Sequence, residues 1–550
     1  MKAEAQFIEL RLTEAQRAAF LERVRSAVGP EDYGLIEGMA HALPRLIDLI
    51  EQTPSMHKLR HLVFGPRTEK TRQVVPPAPA TTSPNSDAPT SAASTPPDST
   101  TTAAGPRSKS KAKGHGRTKA RDYTGAHWVS VPHPHLHDGA ACPLCLEKGT
   151  LHKQKTPALI LRIEGAAPIS ATGYEMERLR CDTCGAVFTA PTPPEAGTEK
   201  FAPSVGPTVA LLRYGCGLPH YRLAKLQKIV GVPMPSSTQW EAMQPLAEQA
   251  QPILEELITQ AAQSPLVHHD DTPMRILDLR RPGSATALQM DPKRTGTFTT
   301  NVLAYIEERP VALYFTGWKH AGENLADVLS RRAASLPSPI QMCDALSRNF
   351  SPPIESMLAL CLSHGRREFV AVAQDFPPEC RHVLEALGEV YRVDAEAKDQ
   401  AMTPEQRLVH HQTHSRPVME RLQAWMREQI DAKLVEPNSG LGEAIGYMLR
   451  HWEPLTLFLR QAGAPLDNNI CERALKMAIL HRKNSLSYKT LNGARTGDLF
   501  MSLIHTCQLN GVNPFDYLLS IATHADAVKL IPKAWLPWNY PKSATANDSS

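Results

Sequence analysis

Aromatic residues are scarce, at 6% of the chain, and no stretch reaches the roughly 18 to 20 consecutive apolar residues that span a bilayer. The opening MKAEAQFIELRLTEAQR is charged throughout and lacks the apolar centre of a signal peptide, so a cytoplasmic protein is expected. A charge excess is also missing. Lys plus Arg number 60 against 56 Asp plus Glu, a formal charge of +4, so any nucleic-acid signal must be local. Ten cysteines in 550 residues, four of them in two CxxC pairs, exclude a disulfide framework and point to reduced thiols around a metal. Glycine is outnumbered by proline, 31 to 47, which calls for at least one proline-rich linker.

At about 150 residues per domain the chain holds three or four units. Residues 1–70 read as helical and coiled-coil-like: Thr13 and Gln16 make a capping box, and Leu35, Met39, Leu43, Leu46 and Ile50 recur at helical spacing. Pro44 interrupts that stripe, so it fits self-association and docking on its own chain equally well. Residues 71–121 read as a disordered linker, because the segment from Thr71 to Ser110 has eight prolines and no aromatic residue, leucine or isoleucine. It ends in the basic arm RSKSKAKGHGRTKAR (107–121), which suits a phosphate backbone or simply a solvated tail.

Residues 122–195 carry Cys142-Pro-Leu-Cys145 and Cys181-Asp-Thr-Cys184-Gly185. Two CxxC turns supply the four thiolates of a tetrahedral structural zinc, leaving no open position for chemistry. His133, His135 and His137 alternate just upstream in the manner of an exposed loop, not a ligand set. Residues 196–262 read as helices with a turn between Val230 and Ser236. Leu223, Leu226 and Ile229 are expected to form a small core, with Arg222, Lys225, Lys228 and Gln239 outward. That texture fits a helix-turn-helix groove reader and a plain helical hairpin equally.

From residue 263 short β-rich runs begin, LVHHD, FTTNVLAYIEE, VALYFT, IQMCD and MLALCLSH, with a helical AGENLADVLSRRAAS among them. They predict a multidomain α/β protein whose sheet domain (263–365 and 465–525) is interrupted by a helical insertion (366–464), with a tail over 526–550. Asp270 and Asp271 end the first run and Asp344 ends a later one, where a carboxylate projects at the rim of a sheet and can bind a hard cation. Strand alternation lets only one of Asp270 and Asp271 face a shared site. Glu472 sits in the first turn of a later helix. Singly, each acid has a structural explanation, such as an Asn469-x-x-Glu472 capping box. In order, strand Asp, later-strand Asp and helix Glu form the pattern by which a ribonuclease-H-like sheet assembles two divalent ions.

Over nearly its whole length the chain resembles the transposases of the insertion sequence 66 family. The resemblance is carried by LVFGPRTEK, CPLC with CDTCG, LLRYGCGLPHYRLAKLQ followed by PSSTQWE, HHDDTP, CLSHGRREF, PLDNNICERALK with HRKN, and CQLNGVNPFDYL. It implies a DDE-type DNA transposase with Asp270, Asp344 and Glu472 as catalytic acids holding Mg²⁺ or Mn²⁺, and a structural Zn²⁺ on the four cysteines. It further implies cleavage at transposon ends and strand transfer into target DNA, a homo-oligomer on double-stranded DNA in the nucleoid, and two small accessory proteins of the same element. At the second acid MCDALSRNF replaces the family's more usual aspartate-glycine-tyrosine context. Cys361 and His364 of CLSHGRREF look like a further metal pair in a structural or positioning role. Candidate DNA contacts are Arg222, Lys225, Arg366, Arg367, Arg473, Lys476, Arg482 and Lys483. Two other functions fit the same motifs: a catalytically inactive, zinc-stabilised DNA-binding repressor derived from a transposase, and a nuclease that cuts without joining.

Overall fold

The computed structural model describes residues 14–25, 28–29, 33, 36, 138–140, 151–152, 167–180, 187–280, 294, 296–350 and 355–540. Most of the stripe from Leu35 to Ile50, the linker with its basic arm, the three upstream histidines and all four CxxC cysteines lie outside the described residues. The chain divides into two units, residues 80–168 and the remainder. In the smaller unit the backbones of Gly139 and Leu151 pair, and His152 approaches Asp138 at 3.9 Å. In the larger unit a helix runs Glu14–Arg25, starting one residue after the Thr13 of the capping box.

The larger unit is built on a five-stranded mixed sheet. Its strands are β1 (Leu266–Pro273), β2 (Phe298–Ile306), β3 (Arg309–Gly317), β4 (Ile340–Cys343) and β5 (Met357–Leu360), in the order β3-β2-β1-β4-β5. β2 is antiparallel to both neighbours, while β1, β4 and β5 are mutually parallel. β2 and β3 form a hairpin whose two loop residues, Glu307 and Glu308, both take positive φ, the backbone that matches the twist of the flanking strands. Between β1 and β4 the chain passes through the β2–β3 hairpin and a helix over Ala321–Leu329, whereas between β4 and β5 the described residues hold only a short 3-10 turn at Ser347–Asn349.

The helices that matter here are α1 (His220–Ile229), α2 (Ser236–Ala262), α3 (Ala321–Leu329), α4 (Leu362–Val372), α5 (Pro377–Asp399), α6 (Pro404–His414), α7 (Arg416–Asp431), α8 (Gly440–Arg450), α9 (Asn469–Ser485) and α10 (Leu491–Leu509). One apolar core joins Val302 and Leu313 of the sheet to Ile253 and Leu257 of α2 and Phe500 and Leu503 of α10. Val528, Trp535, Leu536 and Tyr540 are buried in this same core, so the segment read as a tail packs on the sheet domain as far as residue 540. A second core joins Met342 and Leu360 of β4 and β5 to Val383 and Leu387 of α5, Met419 and Leu422 of α7, and Ile445 of α8. The helical segment after residue 366 therefore grows out of the β4–β5 side of the sheet. Asp394 staples it internally, accepting from Arg407 at 2.6 Å, Lys398 at 2.7 Å and His411 at 3.2 Å. Burial works against that charge, but these partners outweigh it and hold the carboxyl well below its usual range.

The exposed edge of β3 is closed by one helix face. Asp498, Ser502, Thr506 and Asn510 follow at steps of four along and just past α10, and they meet Thr316, Tyr314, Ala312 and Pro310 at steps of two. Four helical residues rise about 6 Å and two strand residues about 6.6 Å, so the two repeats stay in phase. Asp498 and Ser502 accept the N–H groups of Thr316 and Tyr314 at 2.6 and 2.9 Å; Thr506 accepts that of Ala312 at 3.1 Å. An edge strand that would otherwise template aggregation is thereby satisfied.

The helical region before the sheet departs from the sequence reading. α1 and α2 are present with a turn at Gly231, φ +82°, and Leu223 is buried as expected. Leu226 and Ile229, however, are 38% and 73% exposed, and Gln239 is buried. Gln239 Nε2 donates to the carbonyls of His220 and Met234 at 3.0 and 2.8 Å, so it joins the two helices in place of the expected leucines. Arg222, Lys225 and Lys228 do face outward.

Replacing Ser502 by Ala removes only the hydroxyl and orphans the buried Tyr314 N–H. Denaturant unfolding of the S502A variant is expected to show a loss of about 1–3 kcal/mol; an unchanged midpoint would show that the edge ladder carries no weight.

Candidate active site

Strand alternation separates the two adjacent acids of β1. Asp270 pairs in register with Asn301 and Asp271 with Thr300. On the Asp271 face Thr300 accepts from Asn324 of α3 at 2.8 Å. The Asp271 carboxylate, 1% exposed, takes Arg348 Nη2 at 3.0 Å, His320 Nδ1 at 3.4 Å and the Ala321 N–H that opens α3 at 3.4 Å. It is thus spent on a helix N-terminus and a guanidinium. Gly322 in that first turn lets α3 approach closely, since a Cβ there would lie 2.9 Å from the Arg348 carbonyl.

On the opposite face Asn301 meets Cys471 of α9, whose Sγ lies 3.3 Å from Asn301 Oδ1. Asp270 points to this side, where it and Thr272 line a cleft of about 570 Å³ with Asn469, Glu472, Arg473 and Lys476. Its carboxyl is pushed up to about 7, first by burial and then by the charge of Asp344, with smaller contributions from Asp271 and Glu472, against a lowering bond from the Asp271 N–H. The charges of the other two acids, distant in sequence, therefore both reach Asp270. Asp344, just past β4, is oriented by the Leu346 N–H at 3.1 Å and by the side-chain amide of Asn349.

Glu472 in the first turn of α9 faces a fixed cation. Arg367 of α4 holds it with two bonds of 3.1 Å, and His364 Nε2 lies 3.7 Å from the same carboxylate. The turn that delivers Glu472 is anchored by Asn468, which is fully buried. Its Nδ2 donates to the His269 carbonyl at 2.9 Å, its Oδ1 lies 2.9 Å from His268 Nδ1, and its N–H donates to Cys361 Sγ at 3.2 Å. The Leu362 N–H donates to the Leu466 carbonyl at 2.9 Å and Asn469 Nδ2 to Ser363 Oγ at 3.3 Å, which stitches α9 to the start of α4. Burial lowers His268 to about 4 and His269 to about 3, so both are neutral spacers. The Cys361 thiol is pushed up to about 11 by burial.

The cationic candidates divide. Arg473 and Lys476 are exposed at the cleft and Lys483 is exposed further along α9. Arg482 Nη1 donates to Thr272 Oγ1 and the Pro273 carbonyl, both at 2.7 Å, and so fixes the end of β1. Arg366 is half-buried near Tyr391, and Arg222 and Lys225 lie on α1, away from the cleft lining. Asn468, Asn349 and Arg348 position the site and were not singled out in the sequence. The run Asp467-Asn468-Asn469 ahead of a helix was the available signal, but an Asn reads there as an ordinary cap.

Residues 200–496 match the family described as Transposase IS66 family. The chain is also similar to the uncharacterized protein y4jD of Sinorhizobium fredii, 28% identical over 423 residues, which covers 73% of this chain and 78% of that protein. Uncharacterized protein y4hP of the same organism is 24% identical over 394 residues, 67% of this chain and 68% of its own length.

The raised Asp270 carboxyl has a signed consequence. Between about pH 4, where an unfolded aspartate ionises, and about pH 7, the metal-free folded protein keeps a proton that the unfolded chain has lost. Its contribution to stability is complete at low pH and falls as pH rises through that window. Asp270→Asn is expected to raise the thermal midpoint of metal-free protein at pH 8 by at least about 3 °C and to raise it by well under half as much at pH 5. An equal shift at both pH values would contradict this electrostatic reading.

Proposed function

Because the chain belongs to the IS66 family of transposases, we propose that it is a DNA transposase that cuts at the ends of its element and joins them to target DNA. Asp270, Asp344 and Glu472 are its catalytic acids. The observation that carries this reading is the cleft that Asp270 and Glu472 line together with Arg473 and Lys476, with Asp344 near enough for its charge to act on Asp270. The strand order β3-β2-β1-β4-β5 with β2 antiparallel supports a ribonuclease-H-like core, in which the segment over 366–464 is the helical insertion.

The donor set fits a hard divalent cation. Three carboxylates supply oxygen ligands, and their mutual repulsion at Asp270 is the uncompensated charge that such an ion would relieve. Mg²⁺ or Mn²⁺ would be held by Asp270, Asp344 and Glu472, and when bound it supplies Lewis-acid activation of the reacting oxygens. The chain's own residues do the rest. Arg473 and Lys476 line the cleft and offer cations to the phosphate being attacked. Asn468 and Asn349 fix the acids, and Arg367 keeps Glu472 paired until a stronger cation arrives. The reaction is in-line phosphoryl transfer: water attacks the phosphate at the element's end, the bond to the 3′ oxygen breaks, and the freed 3′ hydroxyl attacks a target phosphate in the same cleft. No covalent protein intermediate is needed.

DNA is gripped elsewhere as well. Arg222 and Lys225 on the outer face of α1 are candidates for end recognition, together with the basic arm and a zinc module on Cys142, Cys145, Cys181 and Cys184. Arg366, Lys483 and the remaining donors of Arg482 are candidates for contacts along the strand. The active assembly is a homo-oligomer on paired ends, working with two accessory proteins of the same element in the cytoplasm. No helix among the described residues is long and apolar enough to cross a membrane.

The test is strand transfer from a precut terminal duplex in Mg²⁺. Wild type should give joined product, and Asp270→Asn, Asp344→Asn and Glu472→Gln should each lose at least about 10³-fold while still binding the duplex. Binding by wild type with no joined product would contradict the transposase reading; an uncut end duplex, cleaved by a nuclease and left intact by a repressor, then tells those two apart.

A further inference from the structure

Glu472 belongs to two sets of ligands. Toward Asp270 and Asp344 it completes an all-oxygen site. In addition, Cys361 Sγ, a ring nitrogen of His364 and a Glu472 carboxylate oxygen lie within 4.8 Å of one another. We propose that Cys361, His364 and Glu472 form a second cation site, selective for a thiophilic divalent ion such as Zn²⁺, whose occupation engages the carboxylate that the Mg²⁺ site needs and so inhibits the enzyme. This rests on the assignment of Glu472 as a catalytic acid.

Both the donor chemistry and the geometry support the site. Thiolate, imidazole and carboxylate are the donors that zinc prefers, whereas Mg²⁺ takes oxygen. Tetrahedral donors at about 2.0–2.3 Å from zinc stand about 3.3–3.8 Å apart, and His364 Nε2 is already 3.7 Å from Glu472 Oε1. Cys361 stands at the N-terminus of α4, and its buried sulfur accepts from the Asn468 N–H at 3.2 Å, which fixes it beside the helix that carries Glu472. The second ring nitrogen of His364, Nδ1, is buried without a hydrogen-bond partner. A cation already occupies the approach, because Arg367 Nη1 bridges Glu472 at 3.1 Å and His364 Nε2 at 3.2 Å. Arg367 is partly exposed to solvent, and the three donors, within 4.8 Å of one another, need to close by at most about an ångström to reach the spacing that zinc sets. On binding, the sulfur–hydrogen bond gives way to a metal–sulfur bond and the proton leaves to solvent.

The probe is Co²⁺, a zinc surrogate whose bond to thiolate gives a near-ultraviolet charge-transfer band, titrated into full-length protein as purified without DNA. The expected result is a band in wild type that is lost in Cys361→Ser, an apparent Co²⁺ affinity at least about tenfold weaker in His364→Ala and Glu472→Gln, and a tighter one in Arg367→Ala. If Cys361→Ser fails to fold by circular dichroism, the other three variants decide. Identical titrations across those variants, or a Cys361→Ser spectrum that matches wild type, would overturn the proposal. This readout involves no DNA chemistry, so it fails or succeeds independently of strand transfer. In the joining assay Zn²⁺ should suppress Mg²⁺-dependent product, and undiminished product with the band present would overturn the inhibitory role.

Discussion

The hydrogen bonds of one buried amide, Asn468, hold the candidate site together. It ties the backbone of β1 beside Asp270, the ring of His268 and the sulfur that starts α4, and the residue after it begins the helix of Glu472. Every partner is buried, so leaving any of them unpaired would cost about 1–3 kcal/mol. That cost is what keeps a helix from about 200 residues downstream in register with the first strand. With α9 fixed there, Glu472 has little choice about where its carboxylate lies, and the repulsion felt at Asp270 follows.

Two opposite answers to buried negative charge stand side by side. Asp271 is neutralised by Arg348, His320 and the start of α3 and has become a strut. Asp270, one residue away, is buried and feels the charges of Asp344 and Glu472 with only the Asp271 N–H bonded to it, and its carboxyl rises to about 7. Glu472 is intermediate, 28% exposed and held by an arginine that solvent can reach. A carboxylate already neutralised by fixed partners is structural, and one left short of positive charge is available to bind a cation.

Much of this was legible in the sequence because it depends on local pattern. The alternating and buried β runs, the aspartate that follows β4, the place of Glu472 in a first turn and the helical texture after residue 366 all rest on neighbours a few positions away, whereas β1 runs past Asp270 and Asp271 to Pro273 and Asn468, not Asn469, precedes the Glu472 helix. The choice between Asp270 and Asp271 was left open by the residues themselves, since alternation says that they face apart but not which face α9 will cover. The core between α1 and α2 was misread for a related reason. Leu226 and Ile229 have helical spacing with Leu223, yet Gln239 takes the inner position because two carbonyls there require a donor. The pairing of Arg367 with Glu472 and the ladder from Asp498 to Asn510 join segments more than a hundred residues apart, and no window of sequence contains both partners.

The central claim is that three acids from β1, the end of β4 and the start of α9 jointly hold a divalent cation. Its most direct test replaces Mg²⁺ by Fe²⁺ in the full-length protein and adds ascorbate and peroxide, so that radicals born at the bound ion cut the nearby backbone. The account predicts three clusters of cuts, around residues 270, 344 and 472, all suppressed by excess Mg²⁺. Cuts at one of these positions without the other two, or a pattern indifferent to Mg²⁺, would contradict it.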